Sequence, residues 1–175
     1  MKNRLLHICA LLIQFSSIIC LVGLGFLVLF GGYVLITDAD SIRWLEYSSS
    51  GLTFSTESPT EQEYPPFGIL AFYLLKTVVS LLITYLILRT SLKVVQSIQS
   101  LETFHNRNII YFRKIGHFAM VLFLLNVFSL SENGDSLQFT VELRLWYLLA
   151  ALICYILSEI FKEGNSLLEE SKLTI

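Results

Sequence analysis

Four stretches of this chain are nearly free of charge, and the segments between them are not. The first runs over about residues 5–36 and has no formal charge after Arg4; the others cover about 67–88, 115–130 and 141–161. A bilayer's hydrocarbon layer, about 30 Å thick, takes roughly 20 apolar residues per helical crossing. The pattern therefore predicts an all-α, polytopic membrane protein: one domain over residues 1–175, folded as an antiparallel four-helix transmembrane bundle. The first stretch exceeds a minimal span and must tilt or protrude. Pro65 and Pro66 suit the loop and first turn that introduce the second. The third is compact, so Arg113 and Lys114 must snorkel to the headgroups.

Composition agrees with a lipid-embedded chain. The sequence is 54% hydrophobic and 15% charged, against roughly 45–50% and 25% in soluble domains. A signal peptide would also place Lys2 and Arg4 before an apolar run, but this run is too long and no small-x-small site closes it, so it is expected to remain as a span.

Charge orients the spans. Lys2 and Arg4 precede the first; Arg89, Lys93, Arg107, Arg113 and Lys114 fill the connector 89–114; Lys162 and Lys172 lie in the tail 162–175. The loop 37–66 offers Arg43 among Asp38, Asp40, Glu46, Glu57, Glu61 and Glu63, and the Ser131–Thr140 turn has no basic residue. Lys and Arg remain on the cytoplasmic side. A plasma-membrane protein with both termini cytoplasmic is expected.

The loop contains a candidate outward β-hairpin, Ile42–Tyr47 against Leu52–Ser55 around Ser48-Ser49-Ser50-Gly51. Trp44, Tyr47 and Tyr64 serve equally well as belt aromatics at headgroup level. Cys9, Cys20 and Cys154 all lie in apolar blocks, which makes them packing residues rather than disulfide partners. His7, His105 and His117 do not cluster and no metal spacing occurs, so neither metal nor cofactor is expected.

Lys76 is the residue that most needs an explanation, since it falls near the middle of the second stretch, where translocon scales assign a charge a cost of about 2.5–3.5 kcal/mol. Tyr73, Lys76, Ser80 and Thr84 recur at helical spacing and form a polar stripe, with Glu142 or Asn126 as candidate partners for the amine. The stripe is either part of a substrate or proton pathway or a packing device. Small residues on the first span (Ser16, Cys20, Gly23, Gly31) and the fourth (Ala151, Cys154, Ser158) allow close helix approach and leave homo-oligomerisation open. His117 and Asn126 point to opposite sides of the third helix. Leu88, Leu92, Val95, Ile98 and Leu101 carry helical spacing past the second span, and Asn106 is a plausible N-cap for the third. The connector's cations suit both topology and anionic lipid.

The tail carries a resemblance. Ile156-Leu157-Ser158-Glu159-Ile160-Phe161-Lys162-Glu163-Gly164, then Leu167, Glu169, Glu170 and Leu173-Thr174-Ile175, resembles the ending of the bacterial membrane family called domain of unknown function 2975. Phe104, Asn108 and Arg113-Lys114-Ile115-Gly116 match it too, while Thr103 and Lys172 depart from it. The resemblance implies four spans, no assigned activity and genes often lying beside that of a small helix-turn-helix regulator, which suggests a membrane partner for a cytosolic transcription factor. Physically, Gly164 can end or bend the fourth helix. Leu167, Leu168 and Leu173 beside Glu163, Glu169 and Glu170 then form an acidic amphipathic segment, which either docks a basic partner or packs on the connector at Arg107, Arg113 or Lys114.

Two classes of function follow. One is a non-enzymatic regulatory membrane protein controlling a cytosolic regulator, without binding nucleic acid itself. The other is a small transporter, channel or immunity-type protein using the Lys76 stripe. The paired Glu169-Glu170 of the tail lies outside the apolar core and lacks histidines at its depth, which argues against an intramembrane enzyme.

Overall fold

The computed structural model describes residues 2–36, 45–48, 51–54, 67–100, 106–133 and 136–173. In chain order the elements are α1 (Lys2–Ile36), β1 (Leu45–Ser48), β2 (Gly51–Phe54), α2 (Phe67–Gln99), α3 (Asn106–Val127), β3 (Phe128–Asn133), β4 (Ser136–Val141) and α4 (Leu145–Leu173). All four helices are long and apolar enough to cross a membrane. β1 pairs antiparallel with β2, Leu45 opposite Phe54 and Tyr47 opposite Leu52. Trp44, Tyr64, the acidic stretch 57–63 and the residues around Phe104-His105 lie outside the described residues.

The helices lie in a row. Among the described residues the extensive helix contacts join α1 to α2, α2 to α3 and α3 to α4, each neighbour in the chain packing on the next. α1 and α4 are thus the outer members of a layer. α1 meets α2 where a Cβ on Gly31 would stand 3.3 Å from Leu74. Nearer the other end, the Cys20 thiol makes a long contact of 3.9 Å to the Leu81 carbonyl. Most of α1's large apolar side chains are exposed, Leu29 to 78% and Leu12 to 63%, surface that in water would be costly and in lipid is not.

The tightest seam is α3 against α4. Ala119 and Leu122 of α3 and Ala151 of α4 are buried, as are Asn108 and Ser158. Phe112 stacks on Phe161 with centroids 5.1 Å apart. A Cβ on Gly116 would come within 3.1 Å of the Tyr155 ring, so glycine permits this approach.

Two boundaries differ from expectation. The third span does not continue helically to Leu130, and the fourth helix does not begin at Val141. Instead β3 and β4 form a hairpin in register from Phe128↔Val141 to Asn133↔Ser136. The physical reason is a change of period. Phe128 and Leu130 pair with Val141 and Phe139, while Ser129 and Ser131 pair with Thr140 and Gln138, so alternate positions segregate apolar from polar residues. The other difference is at Gly164, which does not end α4: the helix runs on to Leu173.

Candidate functional site

Polar residues collect at two levels along the layer, and the interval between them is nearly the same on three helices. From Lys76 to Arg89 on α2, from the end of α3 back to Lys114, and from Arg144 to Glu159 on α4, the chain runs about 13–15 residues, or roughly 20–22 Å at the helical rise. Snorkelling side chains extend such a belt toward the ~30 Å of a hydrocarbon core. The hairpin end of the layer carries Lys76, Glu142 and Arg144. The opposite end, where α1 starts and α4 finishes, carries Arg89, Lys93, Arg107, Arg113, Lys114, Glu159 and Lys162.

At the hairpin end, Lys76 sits in the third turn of the 33-residue α2. Its Nζ donates to the Phe128 carbonyl at 2.8 Å, where α3 gives way to β3. The Tyr73 ring lies 5.8 Å from the same nitrogen, a cation–π distance. Beside it the Glu142 amide donates to the Val127 carbonyl at 2.9 Å, so both carbonyls at this junction are taken. Of the two candidate partners, Asn126 donates back to the Leu122 carbonyl at 2.8 Å, and Glu142 forms an ion pair of 3.1 Å with Arg144. Arg144 escaped the sequence-based charge count because it falls inside the fourth apolar block.

Two threonine hydroxyls of α2, one of them in the polar stripe, are turned in on the helix's own backbone. Thr84 Oγ1 donates to the Ser80 carbonyl and Thr77 Oγ1 to the Tyr73 carbonyl, both at 2.8 Å. These bonds meet the hydroxyl donors inside the helix. Tyr73 is buried, and Ser80 and Thr84 are half-buried.

At the opposite end, the start of α3 docks on the last turns of α4. Ser158, 2% exposed, donates to the Ile109 carbonyl at 3.2 Å beside the fully buried Asn108. The Asn165 amide donates both to Asn106 Oδ1 and to Glu169 Oε1, each at 3.2 Å. One contact of the tail with α3 is thus amide to amide. Lys162 holds Glu159 at 2.7 Å, and Lys93 lies over the Tyr111 ring at 5.9 Å. Arg107, Arg113 and Lys114 are exposed, as are Glu163, Leu167, Glu169 and Glu170. Gly164 is half-buried within the helix, and the backbone of Leu173 is its last described residue. Asn165 and Arg144 were missed from sequence because single polar residues have no spacing signal; only partners supplied by the fold distinguish them.

Among the described residues no group of three or more histidine, cysteine or carboxylate side chains is placed to hold a metal. His117 accordingly serves the helix: its Nδ1 lies 2.7 Å from the Arg113 carbonyl, an acceptor only, which assigns the proton to Nδ1. The ring packs edge-on against Tyr155.

Four spanning-length helices with charged groups confined to two levels define a multi-pass membrane protein. The chain belongs to the family described as protein of unknown function (DUF2975), whose profile matches residues 35–175. The match takes in α2, α3 and α4 with their hairpins and begins as α1 ends. No curated protein and no solved structure matches the chain.

Proposed function

We propose that this protein is a non-enzymatic regulator in the plasma membrane, with both termini cytoplasmic, that engages a cytosolic partner of the helix-turn-helix class through the end of α4. The orientation is supported by the distribution of Lys and Arg, which favours the end bearing the start of α1 and the end of α4 even with Arg144 counted on the other side. One observation carries the partner reading. α4 continues several turns past the belt and presents Leu167, 65% exposed, beside Glu163, Glu169 and Glu170. Beyond the belt no lipid tail covers that leucine, and the surrounding carboxylates complement a basic surface such as a DNA-binding domain displays.

A photocrosslinker at position 167 of the full-length protein in its native membrane tests this. Crosslinking to a transcription regulator, lost in Leu167→Glu, is the expected result. Absence of any such adduct, together with unchanged transcription after the α4 extension is removed, refutes it. The transport reading finds less support, because the Thr84 hydroxyl of the stripe donates to its own helix and the Lys76 amine to the Phe128 carbonyl.

A further inference from the structure

The buried positions of α3 are Asn108, Ile109, Ile115, Gly116, Ala119 and Leu122, which turns a second face outward. That face reads Ile110, Arg113, Lys114, His117, Val121 and Leu124, all exposed. At its charged end lies a groove of about 380 Å³, lined by Ile109, Ile110, Arg113, Lys114, His117 and Phe118. We propose that this groove binds the phosphate of an anionic phospholipid, with Arg113 and Lys114 as its cationic ligands and the acyl chain lying along Val121 and Leu124.

Three features converge on an amphiphile. Arg113 and Lys114 stand at the edge of the apolar belt, where headgroup phosphates lie. Glu159, close enough to Arg113 to feel its charge, is already held by Lys162. The guanidinium offers a planar fork for two phosphate oxygens and the ammonium a point charge. Directly along the helix from these cations, Val121 at 45% and Leu124 at 56% exposure supply an aliphatic track inside the belt. A free phosphate would use none of that track, and a cytosolic protein cannot reach it. The Gly116–Tyr155 approach and the Ser158 hydrogen bond to the Ile109 carbonyl fix the rotation of α3 that presents the face. The inference needs the belt but not the partner proposed for α4.

The test is lipid retention by the full-length protein, released from nanodiscs containing phosphatidylglycerol and phosphatidylcholine and read by native mass spectrometry. Phosphatidylglycerol should be retained in preference. The variant Arg113→Gln/Lys114→Gln should lower its affinity by about 30-fold, as expected for two cations at a membrane surface. Arg89→Gln/Lys93→Gln, at the same end on α2, should change it less than about threefold, and Arg113→Lys/Lys114→Arg should preserve it. Equal loss in both Gln variants, no preference between the lipids, or displacement by millimolar inorganic phosphate overturns the proposal. If the Gln variant does not fold, photoactivatable phosphatidylglycerol on the unmodified protein decides: adducts at Val121 or Leu124 support the site, and adducts elsewhere alone refute it.

Discussion

Replacing Gly116 by valine should loosen the α3–α4 seam. In the native packing a Cβ at this position would lie 3.1 Å from Cε1, 3.2 Å from Cζ and 3.3 Å from Cδ1 of Tyr155. Alanine therefore needs the ring to retreat by a few tenths of an ångström. Its helix preference over glycine, roughly 1 kcal/mol, offsets much of that cost and leaves Gly116→Ala near neutral. Valine adds two methyl groups against a ring that also meets the edge of His117, and overpacking of this kind costs about 1–3 kcal/mol. A loss of roughly 2 kcal/mol is expected after the smaller propensity gain. The assay is reversible unfolding in mixed detergent micelles, followed by helicity. Tyr155→Ala should relieve the clash, so that the double variant recovers at least about 1 kcal/mol relative to additivity. A Gly116→Val protein as stable as the parent, or one whose deficit is untouched by Tyr155→Ala, would falsify the packing argument.

Ser158→Ala removes the donor to the Ile109 carbonyl in a site only 2% exposed, and should cost about 0.5–1.5 kcal/mol in the same unfolding assay. Lys76→Met withdraws the ammonium from the Phe128 carbonyl. Hydrogen exchange at the neighbouring Glu142 amide should rise roughly tenfold, with Lys76→Arg close to the parent; unchanged exchange would mean that the lysine does not hold the hairpin. In a background lacking Cys9, Cys20 and Cys154, a membrane-impermeant thiol reagent applied to intact cells should modify Ser136→Cys and spare Lys93→Cys; the reverse labelling would invert the orientation.

The long apolar runs were legible because lipid imposes a length criterion that composition alone can meet, as α1 and α2 illustrate. The helical phase of Leu92, Val95 and Ile98 likewise carries through in α2, which is unbroken to Gln99. What could not be read was the place where one periodicity yields to another. Val127-Phe128-Ser129-Leu130 is as apolar as the residues before it, and the strand becomes evident only through its pairing with Phe139–Val141. Lys76 is central to the apolar run 67–88 but early in α2, because the helix continues to Gln99. Gly164 failed as a stop signal because neighbouring α4 residues, Phe161 on Phe112 and Asn165 on Asn106, anchor the helix on both sides of it.

The single-file order of the helices has a mechanical corollary. With no broad contact from α1 to α3 or α4 among the described residues, a displacement of the first helix is transmitted to the last only in succession, across the Gly31–Leu74 junction, then the α2–α3 seam, then the ring of Tyr155. A change at one junction therefore acts on the helices beyond it and leaves the contacts of the pair before it unaltered.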